Sequence, residues 1–93
     1  MIFSHLEFMS RAGIDQQTLD VWIEEEWVVP QGALELPEFT EADVARARLI
    51  LDLMRDLGVN AEGVGVALHL IDQVHDMRQV LAALIDQMRL SRD

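Results

Sequence analysis

The sequence predicts an all-α protein, with a helical N-terminal part over residues 1–60 and one long C-terminal helix over residues 61–93. Apolar residues recur at helical spacing along most of the chain. A Ser, Thr, Asp or Asn stands where each helix would begin, and no proline interrupts the last stretch. A chain of 93 residues has room for one domain with a small core, so we expect it to need a partner or a second copy.

The first two helices are expected to form a helix-turn-helix unit. Ser4 and Glu7 have the spacing of a capping box, and Gly13 ends this first helix as a C-cap. Asp15 then caps a second helix that runs to about Glu26. One buried face of the second helix is expected to comprise Leu19, Trp22 and Ile23.

A short loop or β-wing is expected next, because residues 27–30 are β-prone and residues 31–39 have no helical period. Thr40 and Asp43 mark the start of a third helix, which Gly58 ends. The N-terminal part is therefore predicted to be winged helix-turn-helix-like. The buried stripe of the third helix is expected to comprise Val44, Ala47, Ile50, Leu51, Met54 and Leu57.

The long C-terminal helix is predicted to be a dimerisation helix. Asn60 caps it, and at 1.5 Å per residue a helix from Ala61 to Leu90 is about 45 Å long. This length exceeds the width of the remaining domain, so a coiled-coil homodimer is expected, whether parallel or antiparallel. The alternative is that the helix folds back on the N-terminal part. The predicted dimer seam has heptad spacing and consists of Leu70, Val74, Met77, Leu81, Leu84 and Met88.

Charge excludes several classes of partner. The chain has 17 acidic residues against 7 arginines and no lysine, which gives a net charge of −10. Residues 1–40 hold eight of the acids and Arg11 alone among basic residues. Such a surface repels phosphate backbones, so no DNA binding is expected. No apolar run is long enough to span a bilayer, so we expect no membrane contact and a cytoplasmic location.

Residues for catalysis are few, so no enzyme and no cofactor are predicted. The chain has no cysteine, tyrosine or lysine, and its three histidines form no recognisable catalytic group. Asp72 and His75 share a helical face with Asp76 nearby, which makes a metal pair conceivable. A polar flank beside the dimer seam explains these residues better, so no metal site is predicted.

The second helix carries acids and no lysine or arginine, which points to a basic protein partner. Trp27 follows the run of three glutamates at the mouth of the loop and is expected to be half exposed, as a partner contact. The predicted partner-binding residues are Asp20, Glu24, Glu25, Glu26 and Trp27. A competing acidic surface comprises Glu35, Glu38, Glu41 and Asp52.

Short motifs in a fixed order run along nearly the whole chain: Glu7-Phe8, Gly13-Ile14, Val28-Val29-Pro30, Asp56-Leu57-Gly58-Val59-Asn60, Gly63-Val64, Ala67-Leu68 and Leu70-Ile71-Asp72. With these motifs the chain resembles the CbpM family of chaperone modulators, relatives of the MerR-type winged helix-turn-helix proteins. The resemblance implies binding to the J-domain of a DnaJ-like co-chaperone of the CbpA type and inhibition of its action on DnaK. Two alternatives stay open, a MerR-like transcriptional regulator and a dimeric adaptor for another basic protein.

Overall fold

The computed structural model describes residues 1–91, which form a winged helix-turn-helix-like part followed by a long helix, as the sequence predicts. The chain divides into two units, residues 1–61 and the remainder of the long helix. The elements in chain order are β1 (Ile2–Phe3), α1 (His5–Ala12), α2 (Gln16–Glu24), β2 (Gln31–Ala33), β3 (Leu36–Thr40), α3 (Glu41–Leu51), a π-helical segment (Asp52–Asp56) and α4 (Ala61–Ser91).

The predicted caps of α1 and α2 are confirmed. The Glu7 backbone N–H donates to Ser4 Oγ at 3.2 Å, and the Ser4 N–H donates to Glu7 Oε1 at 3.1 Å. Asp15 Oδ1 accepts from the Thr18 N–H at 2.8 Å. Hydrogen bonds to the charged carboxylate lower its pKa. The pKa of Glu7 is lowered mainly by the Ser4 backbone, and that of Asp15 by the Thr18 side chain and then its backbone.

The predicted start of α3 is also confirmed, since Thr40 and Asp43 form the second capping box. The predicted end at Gly58 is also confirmed, since Gly58 has a left-handed φ of +66°, but the helix changes its period before it reaches this residue. The α-helix stops at Leu51, and the backbone then closes a wider turn in which the Leu57 N–H donates to the Asp52 carbonyl at 3.1 Å. A π-turn spans one more residue than an α-turn, so it moves later side chains off the buried face.

The change from α to π turns explains which side chains of the predicted buried stripe are exposed. Val44, Ala47 and Ile50 are buried as predicted, and Leu51 is half-buried. Met54 and Leu57, also expected in the stripe, are 38% and 71% exposed. Contrary to the prediction, these two side chains of the last turn before Gly58 therefore do not belong to the core.

The β-wing consists of β2, β3 and the turn of Leu34 and Glu35 between them. These strands are antiparallel, with Ala33 opposite Leu36 and Gln31 opposite Glu38. Strand β1, which the sequence did not predict, pairs with the other edge of β3, so the sheet order is β1-β3-β2. The central strand β3 thus leads directly from the wing into α3.

Aromatic contacts join the sheet to the first helix. Phe8 on α1 stacks on Phe39 of β3, with ring centroids 4.3 Å apart and an interplanar angle of 9°. Phe3, the partner of Phe39 in the sheet register, lies beneath the Arg11 guanidinium, which is 4.3 Å from its ring centroid. The other large buried side chains of residues 1–61 are Leu19, Trp22, Trp27, Val28, Val44 and Ile50.

Candidate functional site

The acidic surface, defined as Asp20, Glu24, Glu25 and Glu26, occupies the second half of α2 and the two residues after it. All four side chains are exposed. The Asp20 carboxylate accepts a hydrogen bond of 2.7 Å from Gln16 Nε2 one turn earlier, which orients it along the helix. Between Arg11 and Arg46 the chain has nine acidic residues and no Lys, Arg or His, so no basic side chain of this stretch neutralises the cluster.

The end of α2 has the hydrogen bonds of a Schellman motif. The Trp27 N–H donates to the Trp22 carbonyl at 2.9 Å, and the Glu26 N–H donates to the Ile23 carbonyl at 3.0 Å. Glu26 occupies the left-handed position of this motif, with φ at +61°. Glycine usually fills this position, because a Cβ there clashes with the following carbonyl.

Two local terms therefore oppose the placement of these acids. The C-terminal end of a helix carries partial negative charge, which is unfavourable for Glu24, Glu25 and Glu26. Glu26 adds the conformational cost of its positive φ. Residues that break local rules of stability are expected at functional sites. A cation placed against this helix end would interact favourably with both the carboxylates and the helix dipole.

Trp27 is not half exposed as expected: it is 7% exposed and belongs to the core. Its position in the Schellman motif is the one at which an apolar residue packs back on the helix. The Trp27 and Trp22 ring centroids are 6.4 Å apart, at an interplanar angle of 43°. We therefore withdraw Trp27 as an accessible anchor for a partner.

Arg46 on α3 lies beside the end of α2, a contact that could not be predicted from the sequence. Its guanidinium donates a hydrogen bond to the Trp27 carbonyl just beyond the end of α2. The two residues lie 19 positions apart, so no short-range pattern connects them. The bond places one positive charge near the helix end and joins α3 to the acidic surface.

The competing acidic surface is less uniform. Glu35 lies exposed in the wing turn and Glu38 is half-buried on β3. Glu41 and Asp52 are exposed at the two ends of α3, which also carries Arg46 and Arg48. The charge on α3 is therefore mixed, whereas α2 carries acids alone.

The predicted dimer seam lies on the part of α4 in which every side chain from His69 to Leu90 is exposed. Its members range from 49% exposed at Val74 to 73% at Met77. An apolar stripe of this length is typical of a helix that packs against another polypeptide. The described chain therefore presents Leu70, Val74, Met77, Leu81, Leu84 and Met88 to solvent.

The helix-turn-helix, the wing and the long terminal helix agree with a comparison against known families. The family model described as MerR HTH family regulatory protein matches residues 3–85. The chain belongs to the MerR helix-turn-helix family. No curated protein and no solved structure gave a significant match.

In this MerR-family chain, the second helix of the helix-turn-helix has no Lys or Arg side chain. Recognition helices enter the major groove, and Lys or Arg side chains supply the attraction to phosphates. Here the corresponding helix, α2, presents carboxylates, and the wing presents Glu35 and Glu38. The winged helix-turn-helix-like arrangement is therefore present without the basic side chains that attract phosphates.

Among residues 1–91 no group of three His, Asp or Glu side chains is placed to hold a metal ion. His75 Nε2 lies 3.2 Å from Gln79 Nε2 one turn along α4. Within the same residues, no helix has the length and apolar character needed to cross a bilayer.

We expect Glu26→Gly to raise the free energy of unfolding by about 1 kcal/mol, because glycine adopts the left-handed conformation without strain. Thermal and urea denaturation at one fixed protein concentration would measure the change. Glu26→Ala is the matched control, since it removes the same charge but keeps a Cβ. If Glu26→Gly is no more stable than Glu26→Ala, backbone strain at this position is not significant.

Proposed function

We propose that this MerR-family chain is a chaperone modulator that binds the J-domain of a DnaJ-like co-chaperone, of the CbpA type, through its acidic surface. The partner would be a basic helix of the J-domain, whose side chains pair with Asp20, Glu24, Glu25 and Glu26. By covering that helix, the chain would inhibit the action of the co-chaperone on DnaK. It acts as a binding protein, with no enzymatic step and no cofactor.

The observation that carries the proposal is the acidic end of α2, where three consecutive glutamates lie against the negative end of the helix dipole. In the free chain Arg46 places one positive charge near this helix end, and a cationic partner would add favourable interactions with the carboxylates and with the helix dipole. Solubility alone does not require the acids at this end of the helix. The resemblance to the CbpM family supports the choice of a J-domain among basic partners.

Complementary charge in such a complex mainly raises the association rate. An exposed ion pair contributes only about 0.2–1 kcal/mol, but several acting together accelerate encounter. Affinity should therefore depend on ionic strength, since salt screens exposed charges. An adaptor for some other basic protein shares this character, and only the identity of the bound partner separates the two functions.

We also propose that the chain acts as a homodimer through the seam of α4. The seam has an alternating spacing of four and three residues, and its side chains are exposed in the single chain. An isolated helix gains little stability without packing of its apolar face. Pairing with the α4 of a second copy would supply that packing.

The acidic surface can be tested with the double variant Glu24→Arg/Glu25→Arg and a purified J-domain. We expect Kd to rise about tenfold or more, mainly through a slower on-rate, because the charge that guides encounter is reversed. Association and dissociation rates at several salt concentrations would measure this. The fold should be retained, since both side chains are exposed.

The matched control for this test is Glu41→Arg/Asp52→Arg, which changes the net charge by the same amount at the two ends of α3. We expect it to lower affinity much less. If the α3 pair weakens binding and the α2 pair does not, the contact lies on α3 and not on α2. If the wild-type chain does not bind a J-domain at all, the proposed function is wrong.

The dimer can be tested with Leu81→Asp/Leu84→Asp, which places charge at the centre of the seam. Burying unpaired carboxylates costs several kcal/mol, so the two chains should separate. Sedimentation velocity should then show a monomer where the wild-type chain shows a dimer. The control Ala82→Asp/Ala83→Asp adds the same charge off the seam and should remain dimeric. A wild-type chain that sediments as a monomer at tens of micromolar would rule the dimer out.

Transcriptional regulation is the second candidate function, because the matching family is one of regulatory proteins. We expect no shift of random or genomic DNA in a gel-shift assay at low salt, where electrostatic binding is strongest. The reason is the absence of Lys and Arg from α2 and the wing. A robust shift that disappears on adding salt would favour the regulator over the chaperone modulator.

A further inference from the structure

The tip of the wing is apolar and fully accessible. Leu34, in the turn between β2 and β3, is 98% exposed, and Leu36 at the start of β3 is 75% exposed. Side chains alternate between the two faces of a strand, so Leu36 and the buried Phe39 lie on opposite faces of β3. Ala33, which pairs with Leu36 in the register, is exposed beside it.

These leucines do not stabilise the N-terminal unit. An exposed side chain buries little apolar area, and two-residue hairpin turns favour Asn, Asp and Gly over leucine. Single exposed apolar residues are common on protein surfaces. Here, however, two leucines and an alanine are adjacent, and Glu35 and Glu38 accompany them without any basic residue in the wing. An apolar centre with a charged rim is the usual anatomy of a protein interface.

We infer that the wing tip is a second contact for the basic partner, apolar where the acidic surface is charged, an inference that rests on the proposed function. Lys and Arg have long aliphatic stems that cover apolar surface while their charged ends stay hydrated. Leu34 and Leu36 would contact such stems on the partner, and Glu35 and Glu38 would pair with the charged ends. The acidic surface and the wing tip thus recognise the same class of side chain by its two different parts.

The acidic surface and the wing tip make different kinetic contributions. The acids of α2 act over a distance and mainly set the on-rate, and salt weakens them. The wing leucines act only in contact, so they mainly set the off-rate, and salt does not screen apolar contact. The partner therefore has basic residues whose aliphatic stems are accessible along one face.

The test is the double variant Leu34→Gln/Leu36→Gln with a purified J-domain as the probe. We expect Kd to rise about tenfold through a faster off-rate, with the on-rate and the salt dependence close to those of the wild-type chain. The matched control is Leu6→Gln on α1, a leucine that is 65% exposed outside the wing, which should bind like the wild-type chain. Circular dichroism and the melting temperature should be unchanged in both variants.

The outcomes separate this inference from the proposed function. If the wild-type chain binds and the α2 charge reversal weakens binding, but the wing variant binds as tightly as the Leu6→Gln control, the wing inference is overturned and the proposed function stands. If the wild-type chain does not bind the J-domain, both are wrong. If the double variant melts at a lower temperature, the single variant Leu34→Ser at the fully exposed position decides: an unchanged off-rate overturns the inference, and a faster one supports it.

Discussion

The stacked contact between Phe8 and Phe39 fixes the arrangement of the N-terminal unit, because it joins the first helix to the central strand of the sheet. Both rings are fully buried. Stacked aromatic pairs contribute about 0.5–1.5 kcal/mol beyond the area that they bury. Phe39 also sets the register with Phe3, so all three phenylalanines of the chain meet at one place. This contact fixes the position of β3. The position of β3 in turn determines where the wing projects and where α3 begins.

Features that depend on neighbours along the chain could be predicted from the sequence. The two capping boxes, the Asp15 cap and the left-handed Gly13 are confirmed, because each involves residues three to five positions apart. Strand β1 could not be predicted, since two residues are too few to show an alternating pattern. The π-helical turn after Leu51 was missed for a similar reason: its sequence continues the helical spacing, and only the backbone departs from it.

The candidate site divides in the same way. The acids of α2 and the absence of Lys, Arg and His between Arg11 and Arg46 are visible in the sequence, and they are the reason that we expect no binding to a phosphate backbone. The burial of Trp27 was not visible, because it depends on a left-handed Glu26, a conformation that glutamate seldom adopts. Nor was the Arg46 bond, which joins residues distant along the chain. The exposure of the wing leucines could not be predicted either, because it depends on the strand register, which fixes the face on which each side chain lies.

The left-handed Glu26 has a consequence at the level of the gene. Glutamate and glycine codons differ only at their second base, so a single nucleotide change exchanges the strained residue for the one that fits the backbone. That change would also remove a carboxylate from the surface that we propose binds a basic helix. On this proposal, stability favours glycine at this codon and partner binding favours glutamate, so selection for a more heat-resistant chain would produce a poorer binder.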